Sequence, residues 1–142
     1  MTGPIIVGYD GSEGSLAALD QALTLSSGLG CGLVLVFCFE PPAVLAGGAA
    51  GAQRDAIEVI GTERLNHGRD IAAARGIEAH AELVDARPVE GLIAAADEHD
   101  AAMIVVGHHG EGPLRGALLG ATANKLLHLA ERPVLVVPAP ED

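Results

Sequence analysis

The chain has no tryptophan, only two phenylalanines and a single tyrosine among 142 residues. So few rings offer no surface on which the bases of a single strand could stack in succession. Positive charge is scarce too: 8 lysines and arginines stand against 19 aspartates and glutamates, a formal net charge of −11 at pH 7. That balance repels a polyanion, so nucleic acid is not an expected partner. No apolar run approaches the roughly 20 residues of a membrane span. The opening residues Met1-Thr2-Gly3-Pro4 carry neither a basic region nor an apolar signal-peptide core. The expectation is a cytoplasmic protein with no membrane partner. Cysteine is limited to Cys31 and Cys38. Seven residues of extended chain would hold them roughly 23 Å apart, too far for a disulfide, so they are expected as buried thiols.

What is abundant is aliphatic. Ala, Val, Leu and Ile build the core of what reads as one domain over residues 1–142. Strands are expected at residues 4–9, 32–39, 77–84, 102–106 and 134–137. Most are unbroken apolar runs, as strands buried on both faces should be. Residues 77–84 alternate instead, which places that strand near an edge. Helical patterns lie between the strands. The first starts at Ser12, an N-cap residue, and aligns Leu16, Leu19 and Leu23. The second covers about residues 53–75 and ends at Gly76, a C′ glycine. The third has Pro88 in its first turn and Val89, Leu92, Ile93 and Ala96 on one face. The fourth follows Gly120, aligns Ala123, Leu126, Leu127 and Ala130, and is stopped by Pro133. Residues 41–51, rich in proline, glycine and alanine, read as a mobile loop. The order βαβαβαβαβ implies an α/β fold with a parallel sheet, right-handed crossovers and helices on both faces.

Chemistry concentrates behind the fourth apolar run. Met103-Ile104-Val105-Val106 leads into Gly107-His108-His109-Gly110, and after nine further residues comes Gly120-Ala121-Thr122. A buried strand ending in glycine, with more glycine opening a helix, presents backbone N–H groups and a helix N-terminus to a phosphate. It is neither a GxGxxG fingerprint nor a P-loop, because no Gly-Lys-Ser/Thr follows. A second candidate closes the first strand, Gly8-Tyr9-Asp10-Gly11-Ser12. In open parallel sheets ligands sit beyond the carboxyl ends of strands where the order reverses. Asp10 suits a Mg²⁺ bridging phosphates or a hydroxyl hydrogen bond; the competing role is to cap the first helix or hold the turn with Gly11. His108 and His109 lack the ligand spacing of a metal site, and His109 is instead a candidate donor to phosphate or ribose. His67, His80, His99 and His128 are dispersed and read as surface or helix-end residues. No Gly-x-Ser-x-Gly elbow or convincing carboxylate pair argues for an enzyme.

The glycine spacing G-x2-G-x9-G, the opening Ile5-Ile6-Val7-Gly8-Tyr9-Asp10-Gly11-Ser12, the step Leu118-Leu119-Gly120 and the closing Pro133-Val134-Leu135-Val136-Val137 together resemble the universal stress protein (UspA) family over nearly the whole chain. The resemblance implies a Rossmann-like, doubly wound five-stranded sheet in the order 3-2-1-4-5, the adenine nucleotide α-hydrolase-like fold. It implies a homodimer and, in one branch, ATP bound through this glycine pattern. Carried over, Asp10 approaches phosphates or ribose, with Gly8 and Tyr9 beside it; Cys38 or its neighbours on the second strand line the adenine pocket, with Val84 nearby from the third. Val106 and Gly107 pack on the adenosine, and Gly110, Gly120, Ala121 and Thr122 cradle phosphate.

This chain departs from the ATP-binding pattern at Ala121, where a serine or threonine is usual. The lost hydroxyl removes a charge-assisted hydrogen bond of about 1.5–3 kcal/mol, unless Thr122 supplies it one position on. Phe37 is also bulkier than usual on the second strand. The expected function is that of a stress-response sensor or regulator binding ATP or another adenine nucleotide. The alternative is a nucleotide-free dimeric interaction module, with an ATP-cleaving enzyme of the related fold further behind. The last strand, Val134, Leu135, Val136 and Val137, is the expected dimer interface, as an apolar edge bracketed by prolines.

Overall fold

Five aliphatic runs form the sheet: β1 (Ile5–Gly8), β2 (Leu33–Phe39), β3 (Ala79–Asp85), β4 (Met103–Gly107) and β5 (Val134–Val137). The computed structural model describes residues 3–40, 49–108 and 120–139. Between the strands run α1 (Glu13–Leu29), α2 (Ala49–Ala74), α3 (Pro88–Glu98) and α4 (Ala121–Leu129). All strand pairs are parallel, and their order is β3-β2-β1-β4-β5, as the resemblance implied.

Because helices cover both faces, β1, β2 and β4 bury successive residues on opposite sides. Ile5, Val7, Leu33, Leu35 and Val105 pack with Leu19 and Leu23 of α1 and Leu65 of α2. Ile6, Val34, Val36, Ile104 and Val106 pack with Val89 and Leu92 of α3 and Leu126 of α4. Burying each such side chain contributes roughly 1.5–3 kcal/mol, which explains why the central strands read as unbroken apolar runs. β3 lies at an edge, and Ala79 is buried while His80 is exposed.

Local boundaries follow from caps. α2 ends in a Schellman motif: Gly76, at φ +75, donates its N–H to Ala73 O and Ile77 donates to Ala72 O. That motif uses the Ile77 N–H, so β3 starts at Ala79 rather than at residue 77. At its other end α2 begins at Ala49, ahead of the expected residue 53, so Ala49 to Gly51 belong to a helix and not to the expected mobile loop. Alanine's high helix propensity extends the helix backwards. The rest of that expected loop, residues 41–48, lies outside the described residues. α2 also lies close on the sheet. A Cβ on Gly61 would sit 2.6 Å from Leu83 Cδ1, and one on Gly68 would sit 2.8 Å from Leu35 Cδ1.

Candidate functional site

Leaving β1, the chain crosses to β2 on one side; leaving β4, it crosses to β5 on the other. The carboxyl ends of β1 and β4 therefore flank the point where the winding reverses, the place where open α/β sheets leave a crevice. A cavity lies there. Its floor is Gly8, Val106 and Gly107, with Tyr9 and Asp10 of the turn after β1 along one side. Val36 and Cys38 of β2, Pro88 at the start of α3 and Thr122 in the first turn of α4 complete the wall, together with Ser12 and Ser15.

The two helix N-termini at this crevice differ in chemistry. α1 satisfies itself: Ser12 Oγ accepts the Ser15 N–H at 3.3 Å, and Asp10 Oδ1 accepts the Ser12 N–H at 2.9 Å. Gly11 turns between them at φ +84, a conformation that favours glycine. Asp10 thus performs the turn-holding role, while its peptide oxygen accepts a 2.7 Å hydrogen bond from Arg64 Nη1. α4 is different. Its N-cap is Gly120, at φ −60 and ψ 153, with no side-chain cap and no acidic residue in the first turn. Its leading N–H groups and the positive end of its dipole therefore carry no counter-charge of their own. Backbone bonds fix the position of this helix start: Gly120 donates to His108 O at 2.7 Å, and His108 donates to Val137 O at 2.7 Å. An N-terminus with no side-chain cap, set beside an apolar wall, has the chemistry to receive an anion carrying an apolar body.

Gly107 has a role the sequence did not reveal. A Cβ there would lie 2.8 Å from the carbonyl carbon and oxygen of Gly14, so the glycine lets β4 touch the first turn of α1. Cys38 faces the crevice with its Sγ 3.9 Å from Pro88 O, and burial pushes its thiol up to about 12. Both cysteines are free and only half-buried, less enclosed than expected. The Tyr9 ring packs beneath α2 at Gly68, its hydroxyl buried without a partner among the described residues. Burial, followed by the Asp10 charge, raises that phenol.

Across residues 1–138 the chain matches the model of the universal stress protein family. The chain belongs to this family. Universal stress protein Rv1636 of Mycobacterium tuberculosis is 30% identical over 138 residues, covering 94% of both chains. A solved universal stress protein in complex with cAMP is 28% identical, with a TM-score of 0.74 over 97% of this chain and 98% of that one. The hypothetical protein MJ0577 superposes with a TM-score of 0.87 at 18% identity over 99% and 98% of the two chains, which shows the shared Rossmann-like fold.

Measured against the expectation for a universal stress protein, the crevice brings together Gly8, Tyr9, Asp10, Cys38, Val106, Gly107 and Thr122. Gly120 and Ala121 immediately precede Thr122 at the start of α4, but it is Thr122 that lines the cavity. Val84 does not line it: it packs under α3, where a Cβ on Gly91 would meet it at 3.3 Å. His109 and Gly110 lie outside the described residues. Sequence reasoning missed Val36, Ser15 and Pro88, while Ser12 belonged to the candidate turn after the first strand. Pro88 was legible as a helix start, and its place after β3 in a parallel sheet points it to the carboxyl edge.

No helix among the described residues is long and apolar enough to cross a membrane.

Proposed function

We propose that this universal stress protein binds an adenine nucleotide in the crevice between β1 and β4, ATP or one of its breakdown products, and acts as a stress-response sensor or regulator. The observation that carries the reading is the pairing of an uncapped α4 N-terminus with an apolar wall of Val36, Cys38, Pro88 and Val106 in one cavity. The first suits phosphate and the second suits a base. The cAMP held by a relative at 28% identity supports the same ligand class. Thr122 supplies a hydroxyl where Ala121 has none. Asp10 has one oxygen committed to Ser12, and its second is the group that would meet ribose or a phosphate-bound Mg²⁺. His109, Gly110 and Gly120 complete the proposed cradle.

Mass spectrometry of protein purified without added nucleotide, released by denaturation, tests the reading. An adenine nucleotide near one equivalent is the expected result. Its absence, together with no thermal shift from ATP, ADP or AMP, rules the reading out.

The same protein is proposed to form a homodimer through β5. Among the described residues that strand pairs only with β4. Val134, Leu135 and Val136 are only partly buried, and a hollow lined by Leu16, Ala17, Val137 and Pro138 adjoins the strand's end. This half of the proposal stands without nucleotide, as an interaction module.

A further inference from the structure

Away from the crevice, side chains at the end of α3 and on the edge strand β3 bring three ligand atoms together. The helix closes with a Schellman motif in which Asp100, not glycine, takes the left-handed position at φ +49. Ala101 donates to Ala96 O at 2.9 Å and Asp100 to Asp97 O at 3.2 Å, which fixes the backbone of Glu98 and His99. Glu82 comes from β3, where its register partner Val36 packs against α3, so its carboxylate rises on the α3 side of the sheet. His99 Nε2 lies 2.6 Å from Glu82 Oε1. Ligand atoms of Glu82, Glu98 and His99 all lie within 4.8 Å of one another.

Two carboxylates set beside one imidazole offer a cation a converging set of ligand atoms. The basic side chains do not supply one among the described residues. Arg132 is committed to Asp97, Asp100 and Ala101 O. Arg54 pairs with Glu58 and Asp85, Arg75 with Asp20, and Arg87 with Glu40. Arg64 and Arg69 are spent on the peptide oxygens of Asp10 and Ala79. What remains is a proton on His99 or a metal ion.

We infer that Glu82, Glu98 and His99 form a binding site for a divalent transition-metal ion, Zn²⁺ foremost, with water in its open positions. One nitrogen and two carboxylate donors match the ligand types of open zinc sites. Bonds of about 2.0–2.2 Å in a tetrahedron place ligand atoms roughly 3.3 Å apart. Side-chain rotation of the half-exposed Glu82 and His99 and the exposed Glu98 covers that difference. The site is separate from the nucleotide crevice. Pro88 lines the crevice at one end of α3, and His99 closes the other end about 16.5 Å along the axis. Bound there, the ion ties the last turn of α3 to the sheet edge.

The test is a calorimetric Zn²⁺ titration of the chelator-stripped full chain, repeated on Glu98→Gln and His99→Gln, with Co²⁺ absorption as a second readout. Glu98 is exposed, so Glu98→Gln keeps the fold intact even if His99→Gln weakens it. The expected result is one site lost or weakened at least tenfold in each variant, together with a zinc-dependent rise in melting temperature only in the wild type. A control replacing His108 and His109 with glutamine retains the site. No Zn²⁺ binding at millimolar concentration, or equal affinity and stoichiometry in the wild type and Glu98→Gln, overturns the inference and leaves an ion pair alone.

Discussion

Gly107 at the end of β4 touches Gly14 in the first turn of α1 so closely that a Cβ would stand 2.8 Å from Gly14's carbonyl. The contact is backbone on backbone, so no flexible side chain can yield. Gly107→Ala is therefore expected to destabilise the fold by about 1–3 kcal/mol, the usual cost of overpacking. Urea denaturation of the nucleotide-free protein checks this. An unchanged midpoint would show that the glycine serves only ligand approach.

Asp10 separates two roles that one side chain combines. Its Oδ1 holds the turn by accepting the Ser12 N–H. Asp10→Asn keeps an acceptor oxygen and should leave stability within about 0.5 kcal/mol, while Asp10→Ala should cost about 0.5–2 kcal/mol. If the charge meets a Mg²⁺-bound phosphate, Asp10→Asn also removes the Mg²⁺ dependence of ATP affinity. Thermal melts and titrations with and without Mg²⁺ distinguish the two.

Cys38 lines the crevice but should be chemically quiet. Burial raises its thiol to about 12, so the reactive thiolate is absent at neutral pH and appears only as pH climbs toward that value. Peptide mapping after brief alkylation at pH 8 should find Cys38 almost unlabelled in the native protein and fully labelled in denaturant. Fast native labelling would mean that the crevice opens.

The architecture was largely legible, and the reasons are local. Unbroken apolar runs marked β1, β2 and β4 because both faces are buried, and Gly76 marked the end of α2 because only a left-handed residue closes that motif cheaply. The start of α2 was not, since Ala49-Ala50-Gly51 carries no cap signal and looks like a linker. At the site, Asp10 offered two readings, and the 2.9 Å bond to Ser12 shows the turn role. Gly107 resembled a ligand-approach glycine, but its close partner is 93 positions away in sequence and invisible to spacing. The same holds for Glu82 and His99, which meet because α3 folds back over β2, the strand beside β3.

The proposed dimer has a backbone test. Ile104 donates to Pro133 O and His108 to Val137 O, so alternate residues of β5 bond to β4, and the Val136 N–H points to the free edge. Val136→Pro removes that outward donor while leaving the β4 ladder intact. Light scattering should show a wild-type dimer and a folded monomeric variant. A variant that remains a dimer refutes pairing through this edge.

The central claim is that an anion sits on the bare N-terminus of α4. Gly120→Asp puts a carboxylate where no cap exists now. It should stabilise the free protein by roughly 0.3–1 kcal/mol through capping and the helix dipole, yet repel phosphate. Calorimetric titration of ATP into the wild type and Gly120→Asp, beside their melts, is the most direct measurement. The account predicts saturable binding to the wild type and none to a variant at least as stable. Equal ATP affinity in the two proteins, or no binding to either, would contradict it.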